Sequence, residues 1–591
     1  MNEESTTDGR SVTRVRLVYV GLIIIFAVFA VRLFYVQVIH HEKYVTQARN
    51  DQIREYEVDA NRGTIYAQFN GKTVPLVLNQ KLFTVYADPS AIKKSDAVVN
   101  DLAPLLEMDK TDLRTLMQLK ERRYVVLKKR VSPEVSKKIL ALKWPGIGTQ
   151  ERNYRTYPQG TLAAQVLGFV NDDGEGTYGI EQALNTVLAG EKGQLKAVTD
   201  VNGIPLAANA NNLVKEPVNG QNITLTLDIG MQTQVEQIIK RAQEKFGSKK
   251  VSAIVLETNT GAVKAMANYP TYDPAQYGKV EDGNLFQNAS VSEPIEPGSI
   301  TKVLSTAAAM DVGAVNIDTT YYDPGVWTFD GAKVVNVAEG KGSGPQSIRT
   351  MMNSSLNTGA VWTVMQMGDG KLNEKARTSL YDYYTKHYRL GESTGIEQGY
   401  EGVGYLTGPK DKDNGISITY ANMAFGQAYS ATALQMSAAL SAIVNGGTYY
   451  QPTLVAAKQR ADGANETQQP KVLNDNVVSD KTSKQMVELL NYVTEQHVSG
   501  WPFMKFNDQY MVGGKTGTAQ VMKDGGGYRD DVFTGTFMGY VGGDAPQYTI
   551  IVYNIEPRQY SGYAGAQTGQ PVFADIAHML IDNYGVTPKK K

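Results

Sequence analysis

A mixed α+β chain is the fold the sequence predicts, with one N-terminal membrane-spanning helix, a separate α/β module behind it and a C-terminal domain that carries the catalytic motifs. Three observations predict it. The one apolar stretch long enough to cross a bilayer lies at 17–39; residues 40–220 mix short strand-like runs with charged helices and hold no catalytic motif; and from 221 onward alternating strand patterns flank apolar helices that carry three short serine and lysine motifs. A chain of 591 residues has room for more than one domain.

Taken in order, residues 1–16 read as a short tail. Leu17 to Val31 is uncharged but shorter than the roughly 20 residues a span needs, so the helix includes Arg32 and runs on to Ile39. Arg32 then snorkels to an interface or pairs with another membrane protein. No small-residue cleavage site follows, which favours an anchor over a removed signal peptide. Arg10, Arg14 and Arg16 precede the span and His40-His41-Glu42-Lys43 follow it, so the N-terminus is expected in the cytoplasm and the rest outside. Pro217-Val218-Asn219-Gly220 marks a turn that ends this module, at 220. The catalytic domain is expected over 221–585: a strand at Ile223 to Asp228, a helix over Met231 to Phe246, and strands at Ser252 to Glu257 and Ala262 to Ala267. Two late strands, Gly535 to Val541 and Tyr548 to Tyr553, precede a closing helix, Val572 to Asn583, and a basic tail, 586–591. An antiparallel sheet with helices on its faces follows from that order.

The chemistry rests on Ser299-Ile300-Thr301-Lys302, Ser355-Leu356-Asn357 and Lys515-Thr516-Gly517-Thr518. Pro297-Gly298 precedes the first, and the Ala-rich run to Met310 follows it, so Ser299 is placed at a helix N-terminus. Residues three apart share a helix face, which brings Lys302 beside the Ser299 hydroxyl as a possible base. Alone, such a motif is weak: Ser90-Ala91-Ile92-Lys93 repeats it, and a capping serine with a solvated lysine explains a lone copy. The combination is specific, because the chain has one Ser-x-Asn and one Lys-Thr-Gly, both downstream of Ser299. Tyr510 to Gln520 reads as a strand whose glycines allow a close backbone approach, and a peptide can add to its edge. The plain alternative for Gly513-Gly514 and Gly517 is a bulged strand.

Other chemistries are excluded. With 59 basic and 60 acidic residues and a net charge of -1, nothing favours a nucleic-acid partner. Zero cysteines remove thiol nucleophiles, thiolate zinc sites and disulfides. Gln509 stands where a phosphate loop before Gly514-Lys515-Thr516 needs glycine. The segments 411–415 and Asn171-Asp172-Asp173-Gly174 lack the closing glutamate of a calcium loop and read as turns. No metal and no cofactor is expected.

The three motifs, in this order, resemble those of the penicillin-binding proteins and serine β-lactamases. The resemblance implies a transpeptidase fold in which Ser299 attacks the bond between the last two D-alanines of a peptidoglycan stem peptide and Lys302 is the base. Ser355 and Asn357 would relay the proton and hold the substrate, and Lys515 would complete the cluster. Thr516 and Thr518 would bind the terminal carboxylate, Gly517 lying between them. The Ser299 and Thr518 amides would form the oxyanion hole. Burial beside a second ammonium would keep Lys302 uncharged. Asn61-Arg62-Gly63-Thr64-Ile65-Tyr66, Arg155-Thr156-Tyr157-Pro158 and Gly176-Thr177-Tyr178-Gly179-Ile180-Glu181 resemble the pedestal, or dimerisation-type domain, of the class B members, although Ala67-Gln68 stands where those carry Asp-Arg. Lys523 to Tyr528, Thr536 to Tyr540 and Glu556-Pro557-Arg558 resemble the division-specific, FtsI-type branch. The expectation is therefore a septal peptidoglycan D,D-transpeptidase and β-lactam target. Its partners would be stem peptides, the membrane, a lipid-II-polymerising glycosyltransferase of the SEDS class and other division proteins. The alternatives are an elongation-type transpeptidase, a β-lactamase, a membrane-anchored β-lactam sensor and a scaffold whose catalysis is secondary.

Overall fold

The computed structural model describes residues 8–45, 53–198, 213–336, 341–410, 416–460, 462–523 and 527–590. The first seven tail residues, the turn expected at 411–415, positions 524–526 of the septal-type segment and the last lysine lie outside them. Contacts divide the chain into two units, Met1–Asn61 with Gly190–Asn219, and Arg62–Ala189 with Gly220–Lys591.

In the smaller unit the helix Asp8–Phe34 passes into a π-helical turn, Tyr35–Ile39. Arg14–Ile39 is 26 residues long with a mean hydropathy of 2.6 and none of its most apolar window is buried, so by length and composition it can cross a bilayer. The Arg32 guanidinium stands 5.5 Å from the Tyr35 ring centre. Ile53–Val58 pairs antiparallel with Gly193–Val198, which pairs in turn with Leu213–Lys215.

The larger unit begins with Ile65–Phe69 (β1), Lys72–Ala87 (β2), Val125–Val131 (β3), Ile147–Thr156 (β4) and Ile223–Asp228 (β5). β1 pairs antiparallel with β2 and parallel with β5, Ile65 opposite Ile223, while β5 also pairs with Val455–Gln459. One sheet thus runs from the pedestal sequence into the catalytic sequence. Ala67 is fully buried in β1. In the same unit, Glu181 accepts from Arg62 Nε at 2.6 Å and from Arg155 Nε at 2.8 Å, all three side chains being buried. The two arginines belong to the first two pedestal motifs and the glutamate to the third, so those motifs meet in one ionic cluster.

Next come Ile229–Phe246 (α1), Lys250–Glu257 (β6), Val263–Tyr269 (β7) and Thr301–Asp311 (α2). Asp228 caps α1 by accepting from the Met231 amide at 2.9 Å, and Gly247 ends it at φ 59°. Ile348–Ser354 (α3) and Asn357–Gln366 (α4) follow, then Met511–Met522 (β8), Tyr528–Gly542 (β9), Pro546–Ile555 (β10) and Gln570–Asn583 (α5). The five strands form one antiparallel sheet in the order β7-β6-β10-β9-β8, with β8 at its edge. Alternate residues of β6 serve opposite faces. Val251, Ala253 and Val255 pack with α1 and α5, while Ile254 and Leu256 join the larger core around α2, α3 and α4. A strand covered on both sides must be apolar almost throughout, as β6 and β10 are. The helix α2 is buried from Thr301 to Met310, so its Ala-rich run is set by the lack of room.

Candidate active site

Ser299 lies on a single 3-10 turn, Gly298–Ile300, that leads into α2. The turn is pressed between two segments, and glycine alone permits that. Gly298 has φ +66° and a Cβ there would meet the Thr518 carbonyl oxygen at 2.8 Å; Gly426 has φ +98° and its Cβ would meet the Gly298 oxygen at 2.0 Å. The Gly298 amide donates to Gly426 O at 3.0 Å, and Thr536 Oγ1 of β9 donates to Pro297 O at 3.2 Å. The serine is thereby fixed against the catalytic strand.

Lys302, one turn on, is fully buried, and its Nζ meets four oxygens: Ser299 Oγ at 3.0 Å, Ser355 O at 2.6 Å, Ser355 Oγ at 3.1 Å and Asn357 Oδ1 at 2.8 Å. Ser355 closes α3 with φ 55° and ψ 41°, a left-handed conformation that costs a non-glycine residue about 1–3 kcal/mol and turns both its carbonyl and its hydroxyl toward the amine. Asn357 Nδ2 donates to Val335 O at 3.1 Å, which leaves Oδ1 facing Lys302. Burial, and then the charge of Lys515, hold Lys302 well below the ordinary lysine pKa. A neutral amine has two N–H groups and one lone pair. Two of its neighbours, Ser355 O and Asn357 Oδ1, can only accept, so they take both N–H groups and the lone pair is left for a hydroxyl proton. The arrangement suits a base toward Ser299.

Lys515, on β8, is also fully buried and is pushed down to about 7 by burial; its Nζ donates to Thr516 O at 3.1 Å and Thr516 Oγ1 at 3.2 Å. His497 is pushed down to about 4, by burial and then by Lys515, so it stays neutral near physiological pH. Neither buried lysine forms an ion pair among the described residues. Thr518 Oγ1 accepts from the Gly565 amide at 3.0 Å, which leaves its proton free to be donated. Gly517 lets the Thr536 hydroxyl and Pro297 approach, for a Cβ would lie 2.2 Å from Thr536 Oγ1. All eight sequence-derived residues thus fall on the nucleophile turn with α2, the α3–α4 junction and edge strand β8.

Ser90 of the second Ser-x-x-Lys is exposed in a turn, held by Asp88, and joins no such group. Asn171 to Gly174 is the turn between two short strands, as expected. Glu296 was not found by sequence reasoning. It accepts from the Ala428 amide at 2.8 Å and from the Tyr528 hydroxyl at 2.9 Å, tying the nucleophile turn to the start of β9, and burial raises its pKa against those bonds. Val335, whose carbonyl orients Asn357, was also missed, because a backbone atom 22 residues away leaves no motif.

Comparison with known proteins shows the family. The penicillin-binding protein transpeptidase domain matches residues 251–578 and the penicillin-binding protein dimerisation domain residues 57–225. Stage V sporulation protein D of Bacillus subtilis is 31% identical over 585 residues, 98% of this chain and 87% of the relative. Peptidoglycan D,D-transpeptidase FtsI of Buchnera aphidicola is 26% identical over 593 residues, 98% of this chain and 96% of the relative. Among solved structures, that of penicillin-binding protein 3 from Mycobacterium tuberculosis with aztreonam has a TM-score of 0.68 at 27% identity, covering 90% of this chain and 98% of that one. With both domains matched in order and the serine–lysine cluster lying wholly within the transpeptidase match, the chain belongs to the class B penicillin-binding proteins.

Proposed function

We propose that this chain is a serine-type peptidoglycan D,D-transpeptidase that cross-links stem peptides during septal cell-wall synthesis and is acylated by β-lactams. The observation that carries the reading is the Lys302 amine, buried and bonded to Ser299, Ser355 and Asn357. The Ser299 oxygen attacks the carbonyl carbon of the D-Ala-D-Ala bond while Lys302 takes its proton. The Ser299 and Thr518 amides hold the oxyanion, each such donor being worth about 3–4 kcal/mol. On collapse the C–N bond breaks, and the proton passes from Lys302 by way of the Ser355 hydroxyl to the departing D-alanine amine. An ester on Ser299 remains. The acceptor amine then attacks it, Lys302 takes the amine proton, and that proton returns to the Ser299 oxygen as the new peptide bond forms. Thr516 and Thr518 bind the terminal carboxylate beside Lys515, which completes the hydrogen-bonded cluster, with Gly517 keeping the strand close to the turn. A stem peptide lies along the edge of β8.

The domain assignment that goes with this reading is a cytoplasmic tail at 1–16, a span at 17–39, a non-catalytic pedestal at 40–220 and a catalytic domain at 221–585. The three arginines before the span, Arg10, Arg14 and Arg16, support an N-terminus in the cytoplasm, and a SEDS-class polymerase and other division proteins are the partners proposed. The test is intact-mass measurement after incubation with benzylpenicillin, with the adduct mapped and timed. One adduct on Ser299 that lasts many minutes is expected. Label on Ser90, or release within seconds, would refute the reading, the latter in favour of a β-lactamase. In cells a fluorescent fusion should gather at mid-cell and depletion should give filaments; even side-wall signal with rounded cells would move the assignment to elongation.

A further inference from the structure

Asp323 closes the short strand Thr320–Asp323 and is fully buried, yet it forms no ion pair among the described residues. Its two oxygens are filled by donors. Oδ1 accepts from Thr358 Oγ1 at 2.5 Å and from the Gly325 amide at 3.2 Å; Oδ2 accepts from Asn336 Nδ2 at 3.0 Å and from the Ser343 amide at 2.9 Å. Asn336 Oδ1 receives the Thr358 amide at 3.1 Å and lies 2.9 Å from the Thr358 hydroxyl. Thr358 and Asn336 are themselves buried, and the Trp327 indole donates to Thr358 O at 3.1 Å. The three side chains form a closed ring.

Each ring member except Asp323 is bonded in sequence to a residue that faces the active site. Thr358 follows Asn357, and Asn336 follows Val335, whose carbonyl holds Asn357 Nδ2. The ring therefore clamps both ends of that hydrogen bond. If the Asn357 amide turned over, Nδ2 would face Lys302 Nζ, and the amine would have to spend its lone pair on Asn357. A buried carboxylate is seldom the cheapest filling for a core, since apolar residues of equal volume are often as stable. Its presence behind Asn357 calls for a role other than packing.

We infer that Asp323, Asn336 and Thr358 are positioning residues for acylation: by fixing Val335 and Asn357 they keep Asn357 Oδ1 on Lys302 and leave the Lys302 lone pair to Ser299. This rests on the transpeptidase reading of the site. None of the three need touch the substrate. Their removal should slow the chemical step and spare initial binding, because a reacting group displaced by about 1 Å can cost about 10²-fold in rate.

The test uses the full-length protein in detergent, with a fluorescent penicillin followed by stopped flow over a range of concentration and pH. Thr358→Val keeps the shape and deletes the hydroxyl, and Thr358→Ser restores it. Thr358→Val should acylate about 10²-fold more slowly, with the half-saturating concentration within about twofold of wild type and the rising limb of its pH profile displaced upward as Lys302 regains solvent contact. Thr358→Ser should return to within a few-fold of wild type. Wild-type rates in Thr358→Val, or equal losses in both variants, would overturn the inference, as would a fall in melting temperature that accounts for a proportional loss of competent sites. Absence of label on Ser299 in the wild type would instead remove the transpeptidase reading, and this inference with it.

Discussion

Replacing Lys302 by methionine keeps most of the side chain's volume and removes its one nitrogen. That nitrogen is the group placed to take the Ser299 proton at 3.0 Å, and general-base help of this kind is worth about 10² to 10⁴ in rate, or about 2.7–5.4 kcal/mol of barrier. The fold should tolerate the change, since two effects oppose. Ser355 O and Asn357 Oδ1 lose buried donors, at about 1–3 kcal/mol each, while the cost of burying an amine is relieved. We expect Lys302→Met to bind a fluorescent penicillin with a normal half-saturating concentration and to acylate 10² to 10⁴ times more slowly, about the range given above. Its rate should also lose the rise with pH that marks deprotonation of Lys302 in the wild type. Stopped-flow acylation followed over a range of pH reads both. A Lys302→Met protein that melts normally and acylates within about threefold of wild type would show that the base lies elsewhere.

Three further outcomes follow from the geometry. In a Ser299→Ala background, calorimetry should show a carboxylate-bearing β-lactam binding more weakly as pH rises through about 7, because the ligand anion prefers protonated Lys515; a pH-independent affinity would refute that role. Glu181→Ala leaves the buried Arg62 and Arg155 guanidinium groups without their anion and should lower stability to denaturant by about 3–5 kcal/mol, whereas a loss under about 1 kcal/mol would mean the cluster is solvated. Gly298→Ala forces a side chain into a left-handed φ and against Thr518, so intact-mass kinetics should show acylation slowed by about 10² or more; an unchanged rate would mean the turn has slack.

What the sequence made legible was whatever local pattern encodes. The helix Met231 to Phe246 is observed as Ile229–Phe246, the strand Ser252 to Glu257 as Lys250–Glu257, and the closing helix Val572 to Asn583 as Gln570–Asn583, since apolar period, a capping Asp228 and Pro571 mark them. Gly535 to Val541 is only the second half of β9, which starts at Tyr528; its first half is polar and gave no strand signal. Ser299, Lys302, Ser355, Asn357 and Lys515 were readable because three spaced motifs name them. Their supports were not. Asp323, Asn336 and Val335 reach the α3–α4 junction across 22 to 35 residues, and nothing near them in sequence reports that closure. Nor does the parallel pairing of β1 with β5 leave a local trace, because it joins segments more than a hundred residues apart.

Two lysines buried with no anionic partner among the described residues make the resting protein less stable than its scaffold allows. Each has a folded pKa below its unfolded one, so the unfolded chain binds more protons across the intervening range, and stability climbs with pH from the folded values, about 7 for Lys515, toward the ordinary lysine value of 10.5. Below that window the full cost is carried. For anyone seeking a hardier version of the enzyme, Lys302 and Lys515 would be the first positions a stability screen rewards for going apolar, and the last that can be given up. Thermal selection and catalytic selection therefore pull in opposite directions at the same two side chains, and a bound carboxylate, by supplying the missing charge, is what reconciles them.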